Sequence, residues 1–350
     1  MDSKNITVRS LDSSDDDIYV TFLDKVGNST PSVLAYHYPL YREMLQHIDI
    51  GETLYLGAFF GGDLVGVLPG FIKRASVGTV YNSLPYFGPN GGVICGDGCD
   101  KVPVHRALLG HVMEFMKAES NPLTASIYTP FLDEDIAIYD ECLSNAAVVE
   151  KYTQYLTLQD VAWNKKLNYD IRKAANAGIV IDTEVNDGRI DALYKIYEDN
   201  CRDFNIPTKP NRCIEYLLTN GLRCGHVRVY FALLDDRIIA GLIVLWGGQT
   251  TSYYLPCCHN DFRTLQPNSL LIDSAVTDSK RSGMLYWNWE SSPSEESGVY
   301  KFKRKWGSQK SRYNVFIKRF ATESYLESLG IENIVKHFPY YFVYPFSYLK

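Results

Sequence analysis

Short apolar segments alternate with amphipathic ones along the chain, which indicates a mixed α/β protein. Apolar runs at Leu54–Phe60 and Leu64–Ile72, separated by a Gly-Gly-Asp turn, predict a buried antiparallel hairpin. A second hairpin with the same order of residue types is predicted from Val229–Leu234 and Ile238–Trp246. After each hairpin the apolar spacing changes to that of a helix, and another apolar strand follows.

The two hairpins mark an internal repeat. Tyr55 aligns with Tyr230, and Gly66 aligns with Gly241, both at an offset of 175 residues without a gap. The helices and strands that follow are predicted at Val104–Lys117, Ser269–Lys280, Leu123–Tyr128 and Met284–Trp289. Repetition over this length predicts two copies of one α/β domain, packed closely because no low-complexity linker separates them.

Two basic segments stand out from this pattern. Trp163–Gly178 places Leu167, Ile171 and Ala174 at helical spacing with cations on the other faces, which predicts a basic amphipathic helix. Its alternative is a solvated inter-domain helix. Gly298–Gly307 (GVYKFKRKWG) has four cations and three aromatics between two glycines. We interpret it as a short helix or turn that projects a lysine into a ligand cleft, with a solvated basic face as the alternative.

Composition narrows the class of protein. With 350 residues, 46% of them hydrophobic, the chain can bury a substantial core, and its net charge of -6 argues against a general nucleic-acid binder. The amino terminus has no basic segment followed by an apolar run, and no window reaches the apolar length of a membrane helix. We therefore expect a cytoplasmic protein.

The eight cysteines form no C-x-x-C pair, so we expect them to be reduced. Cys95, Cys99 and His105 lack a second pair of ligands at suitable spacing, and we predict no metal site. Cys257 and Cys258 beside His259 raise a nucleophile hypothesis. The alternative is that they serve as small hydrophobes at the end of an apolar strand.

Three segments together resemble a known family. They are WNKKLNYDIRKAANAGIVI, RTLQPNSLLIDSAV and YWNWESSP followed by GVYKFKRKWG, and they resemble the FemAB-like acyltransferases. The resemblance covers roughly residues 54–320 and implies two tandem GNAT domains, each with a mixed, mostly antiparallel sheet flanked by helices. The predicted domains are residues 1–160 and 161–320, with an aromatic tail at 321–350 that packs on the body.

The resemblance also implies site residues at matching positions. The family's Phe-Lys pair at the reaction centre corresponds to Phe302 and Lys303, and the basic helix near the acceptor cleft carries Arg172 and Lys173. Members that build peptidoglycan cross-bridges often have a long helical hairpin in the second domain. Nothing between Ile190 and Arg228 is long enough for one, which weakens the case for tRNA in this chain.

Acyl transfer to an amine passes through an oxyanion that needs fixed donors. We assign this role to Lys303 and to the backbone N–H of Phe302, and we assign protonation of the leaving group to Tyr254. The alternative for Tyr254 is a buried aromatic with a local hydroxyl partner. Further substrate-binding assignments are Glu290, Lys305 and Trp306.

The donor is left open between aminoacyl-tRNA and acyl-CoA, and no tightly bound cofactor is expected. The loop Arg263–Ser269 has no glycine, and its Pro267 has no N–H, which argues against a conventional CoA phosphate cradle there. A glycine-rich loop in the first half contributes Tyr86, Gly91 and Gly92 to a predicted phosphate or sugar site. An ordinary turn is the alternative.

We therefore predict an N-acyltransferase acting on a cell-envelope precursor, either a peptidoglycan peptide or an amino sugar of a surface polysaccharide. Its acceptor is expected to be a nucleotide-sugar or a lipid-linked precursor, bound by basic segments at 301–319. The aromatic tail Phe338–Leu349 is expected to dock on the body, with contact at the inner face of a membrane as the alternative. Rival functions are acyl-CoA-dependent acetylation of an amino sugar and a catalytically silent glycan-binding module.

Overall fold

A computed structural model describes residues 6–86 and 90–345. The chain divides into two compact units: residues 1–151 together with 312–350 form the first, and residues 152–311 form the second. The predicted boundaries were residues 160 and 320. In the structure, the chain passes between the units within two long strands, at 151–152 and again at 311–312.

The first unit is a mixed α/β structure. Its strands and helices are β1 (Ile6–Leu11), α1 (Asp16–Gly27), α2 (Pro39–His47), β2 (Glu52–Thr53), β3 (Tyr55–Phe60), β4 (Asp63–Leu68), β5 (Phe71–Ala75), β6 (Gly78–Asn82), β7 (Ile94–Cys95), α3 (Lys101–Ala118), β8 (Pro122–Tyr128), α4 (Ile136–Cys142) and the first part of β9 (Ala147–Thr157). One sheet has the order β1-β3-β4-β7 and is antiparallel throughout. In the other, β2, β5, β6 and β8 are neighbours, and the β6–β8 pair is parallel.

The predicted strand Leu64–Ile72 is in fact two strands that belong to different sheets. β4 ends at Leu68, and β5 begins at Phe71 after Pro69 and Gly70. Proline has no N–H to donate to a sheet ladder, and glycine favours a change of direction. The apolar run across this break is continuous in the sequence, because residues 66–72, on both sides of the break, are buried.

The second unit has six neighbouring strands with helices packed against them. Its elements are the end of β9, α5 (Lys165–Asn176), β10 (Val180–Asp182), α6 (Asp187–Asp203), α7 (Asn211–Tyr216), β11 (Val227–Leu234), β12 (Arg237–Gly247), β13 (Thr250–Cys258), α8 (Pro267–Arg281), β14 (Tyr286–Asn288), α9 (Gly298–Arg304) and the start of β15 (Gln309–Arg319). The strand order is β10-β11-β12-β13-β14-β9, and the β13–β14 pair is the parallel one. The predicted α/β class with mostly antiparallel strands is confirmed.

The last part of the described chain returns to the first unit. Helix α10 (Glu323–His337) follows β15, and the segment after it hydrogen-bonds with interior side chains of that unit. Asn82 accepts from the Phe342 N–H and donates to the Phe342 carbonyl, and Ser126 donates to the same carbonyl. Phe338 and Val343 are buried. Residues 346–349 of the predicted docking segment lie outside the described residues.

In the part of the chain that the structure describes, no helix combines the length and apolar character that crossing a bilayer requires.

Candidate functional site

The parallel pair β13 and β14 separates inside the second unit. Pairing joins Thr250 to Tyr286 and Ser252 to Asn288, and it ends there, although β13 continues to Cys258. The chain after β14 turns away at Glu290, whose φ is +61°. In α/β folds, ligands bind beside the carboxyl ends of parallel strands where neighbouring strands part. The divergence of β13 and β14 is therefore where we expect a ligand site.

A β-bulge lies in β13 just beyond that point. Ile243 pairs with Leu255 while Val244 pairs with Tyr253, so Tyr254 is an extra residue in the ladder. Bulges redirect side chains and are frequent beside active sites. The Lys209 ammonium lies 5.2 Å from the centre of the Tyr254 ring, within cation–π range. The structure thus places Tyr254 within β13 rather than at its end.

Lys303 is buried, with 3% of its surface exposed. It lies on α9, as predicted for this segment, and Ser297 caps that helix by accepting from the Tyr300 N–H. The Lys303 ammonium donates to the Glu290 and Ser291 carbonyls at 3.1 and 2.9 Å and to the Ser292 hydroxyl at 3.0 Å. These three bonds hold the loop that follows β14. Burial lowers the Lys303 pKa to about 8, against the opposing attraction of Glu290.

Glu290 links the two lysines electrostatically. Its carboxylate accepts from the side-chain amide Nδ2 of Asn288 at 2.9 Å, and its backbone N–H donates to the side-chain oxygen Oδ1 of the same residue at 2.9 Å. Its negative charge raises the pKa of both Lys209 and Lys303, although burial lowers each of them more. A carboxylate with two desolvated lysines at the separation of parallel strands is a perturbed-pKa cluster of the kind found at catalytic sites.

Lys209 was missed in the sequence. Its loop is fixed to α6, because the Lys209 N–H donates to the Tyr197 hydroxyl at 2.9 Å and the Tyr194 hydroxyl donates to the Lys209 carbonyl at 3.1 Å. Burial lowers the Lys209 pKa to about 8. The flanking prolines at 207 and 210 are the one signal of a fixed loop in the sequence, and they do not reveal what the lysine faces.

A cluster of aromatic side chains packs around the end of α9. The Trp306 ring lies 4.8 Å from Trp163 and 6.0 Å from Trp289, and it is 2% exposed. The Phe302 ring packs on Trp306 at 6.4 Å. The Trp163 indole donates to Asp273 of α8 at 2.6 Å. Core packing therefore accounts for Trp306, and its role in substrate binding stays a prediction, as does the role of the Phe302 N–H.

The cations assigned to substrate binding lie on the surface. Arg172 and Lys173 are exposed on α5, and Lys305 is exposed at the end of α9. The Lys305 carbonyl accepts from Asn164, the residue that caps α5, which ties the two basic elements together. Within residues 6–86 and 90–345 no ion pair involves these three cations. By contrast, Lys310 pairs with Glu295 at 2.5 Å.

Tyr86, Gly91 and Gly92 are buried in the first unit, and Phe87–Pro89 lie outside the described residues. The Tyr86 N–H donates to the Tyr340 carbonyl at 2.9 Å. A Cβ at Gly91 would lie 2.5 Å from the Ser83 carbonyl oxygen, and one at Gly92 would lie 2.4 Å from Pro130 Cδ. Close packing thus explains both glycines without a ligand, and their phosphate or sugar role stays a prediction.

Burial argues against the nucleophile hypothesis for Cys257 and Cys258. Cys257 and Cys258 are both buried, and burial raises the pKa of each thiol, to about 11 for Cys258. Such thiols are poor nucleophiles. No cluster of metal-ligating side chains occurs in the described ranges.

Residues 164–289 match the family model described as acetyltransferase (GNAT) domain. No curated protein sequence matches the chain significantly. Among solved structures, FemX is similar with a TM-score of 0.69 at 12% identity, covering 93% of this chain and 99% of FemX. The resemblance to FemAB-like proteins is therefore confirmed at the level of the fold.

Two further structures have the same fold. The C-terminal domain of a putative lysylphosphatidylglycerol synthetase from Agrobacterium fabrum gives a TM-score of 0.58 at 12% identity, covering 92% of this chain and 96% of that domain. A tandem GNAT protein from the clavulanic acid biosynthesis pathway gives 0.53 at 12% identity, covering 91% and 99%. At 12% identity, these likenesses show a shared fold.

Proposed function

We propose that the second unit transfers an acyl or aminoacyl group to an amine of a cell-envelope precursor. The observation that carries the proposal is the cluster of Tyr254, Glu290, Lys303 and Lys209 at the divergence of β13 and β14. Lys209 and Tyr254 lie inside the segment that matches the GNAT family model, and Glu290 follows directly after its last residue. The choice of a peptidoglycan peptide or a polysaccharide amino sugar as acceptor rests on the sequence resemblance.

The proposed reaction begins when the amine attacks the carbonyl carbon of the donor. The developing oxyanion is stabilised by Lys303, which exchanges its bond to the Ser292 hydroxyl for one to the substrate. We assign the amine's proton to Lys209. With a pKa of about 8, a sizeable fraction of this group is neutral in mildly alkaline solution. Tyr254 donates a proton to the leaving group as the tetrahedral intermediate collapses.

The exposed cations of α5 and α9 suit an anionic substrate. Arg172, Lys173 and Lys305 are available to the phosphates of a nucleotide-sugar, of a lipid-linked precursor at the inner face of the membrane, or of a tRNA acceptor end. For the donor, Pro267 occupies the first position of α8, so this turn offers one N–H fewer to a pyrophosphate. That observation favours aminoacyl-tRNA over acyl-CoA, with acyl-CoA as the second candidate.

A mass-spectrometric screen tests the proposal. Acyl-CoAs and aminoacyl-tRNAs are each offered with peptidoglycan precursors and amino sugars, and donor consumption is followed with wild-type protein and with Tyr254→Phe. We expect one donor class to be consumed and the phenol-lacking variant to be slower by about tenfold to a hundredfold. Substrate binding without consumption of any donor would instead establish a silent binding module.

A further inference from the structure

Cys95 and Cys99 form a close thiol pair in the first unit, far in sequence from the proposed site. Cys95 is the last residue of β7, opposite Gly66 of β4. The chain then makes a tight turn in which the Cys99 N–H donates to the Gly96 carbonyl at 3.4 Å, with Gly98 at a φ of +70°. The turn places the two thiols at its two ends, where each is only partly buried, and the Cys95 sulfur lies 3.6 Å from His105 Nδ1.

Contacts with two neighbouring segments fix the turn. The Gly96 N–H donates to the Val65 carbonyl at 2.9 Å, and the Cys99 thiol donates to the same carbonyl at 3.7 Å. Ser29 at the end of α1 donates to the Asp97 carboxylate at 2.5 Å. The thiols are therefore held together by a defined frame.

The two sulfurs are chemically unequal. The interaction between the two thiols lowers the pKa of Cys99 and raises the pKa of Cys95, and burial raises the Cys95 pKa further. The ammonium of Lys101 also favours a Cys99 thiolate. His105 does not act as a base toward Cys95, because its Nδ1 donates to the Lys101 carbonyl at 2.9 Å, which leaves that nitrogen protonated.

We propose that Cys95 and Cys99 are a reversible oxidation site, in which Cys99 reacts with a hydroperoxide and Cys95 resolves the product as an intramolecular disulfide. In the first step the Cys99 thiolate attacks the peroxide O–O bond, giving a sulfenic acid and an alkoxide or hydroxide. In the second, the Cys95 sulfur attacks the Cys99 sulfur and the S–OH bond breaks. Hydroxide leaves with the Cys95 proton as water. Sulfur is oxidised, and the peroxide is reduced.

The test uses the full-length reduced protein, treated with hydrogen peroxide, quenched with N-ethylmaleimide and examined by peptide mass spectrometry. We expect a Cys95–Cys99 disulfide as the main product, two hydrogens lighter and reversed by dithiothreitol. Cys95→Ser should trap a Cys99 sulfenic acid that dimedone labels. Compared with Cys95→Ser, the Cys99→Ser variant should show at least nine-tenths less dimedone labelling. Cys142→Ser, in the same unit, should form the Cys95–Cys99 disulfide as the wild type does.

A second measurement does not depend on the variants folding. In the wild-type protein, iodoacetamide should alkylate Cys99 about tenfold faster than Cys95 near neutral pH. The titratable groups that face the pair are Lys101, Asp100, Asp135 and His105. Oxidation that reaches the exposed Cys224 as fast as Cys99, or wild-type protein that forms no disulfide between the two sulfurs, would overturn the proposal.

Discussion

The hairpins β3–β4 and β11–β12 look like copies in the sequence, yet their matched residues face opposite sides of their sheets. The Tyr55 ring lies 5.9 Å from Tyr19 of α1 and 5.5 Å from the Arg42 guanidinium of α2. Tyr230 instead lies beside α8, because burial and the nearby charge of Asp278 both raise its pKa. The glycines are reversed as well. A Cβ at Gly66 would meet Val104 of α3, the helix that follows its hairpin. A Cβ at Gly241 would meet a side chain of α6, which precedes its hairpin.

The cause is a turn that begins one residue earlier. Both hairpins have two-residue turns with left-handed backbone, at Gly61-Gly62 and at Asp235-Asp236. The first starts six residues after its tyrosine and the second starts five after, so an ungapped alignment places the second strand pair one residue out of step. A one-residue slip exchanges the two faces of a strand. The repeat is therefore one of elements rather than of individual positions.

The same contrast extends to buried polar groups. In the first unit, the side-chain amides of Asn82 and Asn90 donate to main-chain carbonyls. Neighbouring atoms pack closely against Gly91 and Gly92. In the second unit, two desolvated lysines converge on Glu290. Hydrogen-bonded neutral groups are buried at little cost, whereas a desolvated charge lowers stability, so its presence points to a functional role.

The largest expected effect comes from removing the buried ammonium of Lys303 in the second unit. Lys303→Ala deletes the proposed oxyanion donor, so we expect kcat/KM to fall about 10²- to 10³-fold, a magnitude typical of one oxyanion donor. The variant also removes the three hydrogen bonds of the ammonium. The Glu290 carbonyl keeps its bond from the Thr153 hydroxyl, but the lost bonds to the Ser291 carbonyl and the Ser292 hydroxyl should reduce stability by about 1–3 kcal/mol. Steady-state kinetics with the donor found in the screen, together with urea unfolding, separates the two effects.

Ser292→Ala is the matched control for Lys303. It removes one ligand of the ammonium and keeps the two carbonyl contacts, so catalysis should fall by less than tenfold. If Lys303→Ala turns over at the wild-type rate, the lysine only holds the loop after β14. The chemistry would then belong to other residues of the cluster.

The sequence was informative where chemistry is local. The basic segment at 298–307 is predicted as a short helix or turn that projects a lysine into a ligand cleft. It forms α9, and Lys303 is buried there with its ammonium bonded to the loop after β14, while its place in a ligand cleft stays a prediction. Lys209 escaped prediction because its environment is made by Tyr254 and Glu290, which are distant in the chain. The bulge at Tyr254 was missed for a similar reason: it exists only in the pairing between β12 and β13.

A double-mutant cycle tests which helix the glycine of the second hairpin faces. Gly241→Ala places a Cβ 2.1 Å from Leu193 Cδ1, and we expect a loss of about 1–3 kcal/mol in the free energy of unfolding. Combining it with Leu193→Ala should show a coupling energy of about 0.5–3 kcal/mol, because the smaller side chain removes the clash. Urea unfolding of the four proteins measures this coupling.

Two control variants show whether the coupling depends on the face of the sheet on which the glycine lies. Leu271→Ala on α8 should be additive with Gly241→Ala, since the glycine faces α6. In the first unit, Gly66→Ala should couple to Val104→Ala of α3, where the added Cβ would lie 2.3 Å from Val104 Cγ1. Coupling of Gly241 to α8 instead of α6 would restore the residue-by-residue repeat.

The smallest expected effect is a pH dependence of stability that belongs to the second unit. Lys209 has a folded pKa of about 8, below the value of about 10.4 for an unfolded lysine. Below pH 8 both states are charged, and the cost of the desolvated charge is fully present. Between about pH 8 and 10.4 the unfolded state binds more protons, so this group makes the protein more stable as pH rises.

Lys209→Met removes that contribution. The difference in unfolding free energy, wild type minus variant, should therefore increase between pH 7.5 and 9.5 in urea titrations, while losses from ionising tyrosines cancel because both proteins share them. Lys165→Met, on the exposed side of α5, controls for the loss of a lysine as such. A difference that stays flat or falls over this range would mean that Lys209 is hydrated in solution, and the assignment of the amine's proton to it would fail.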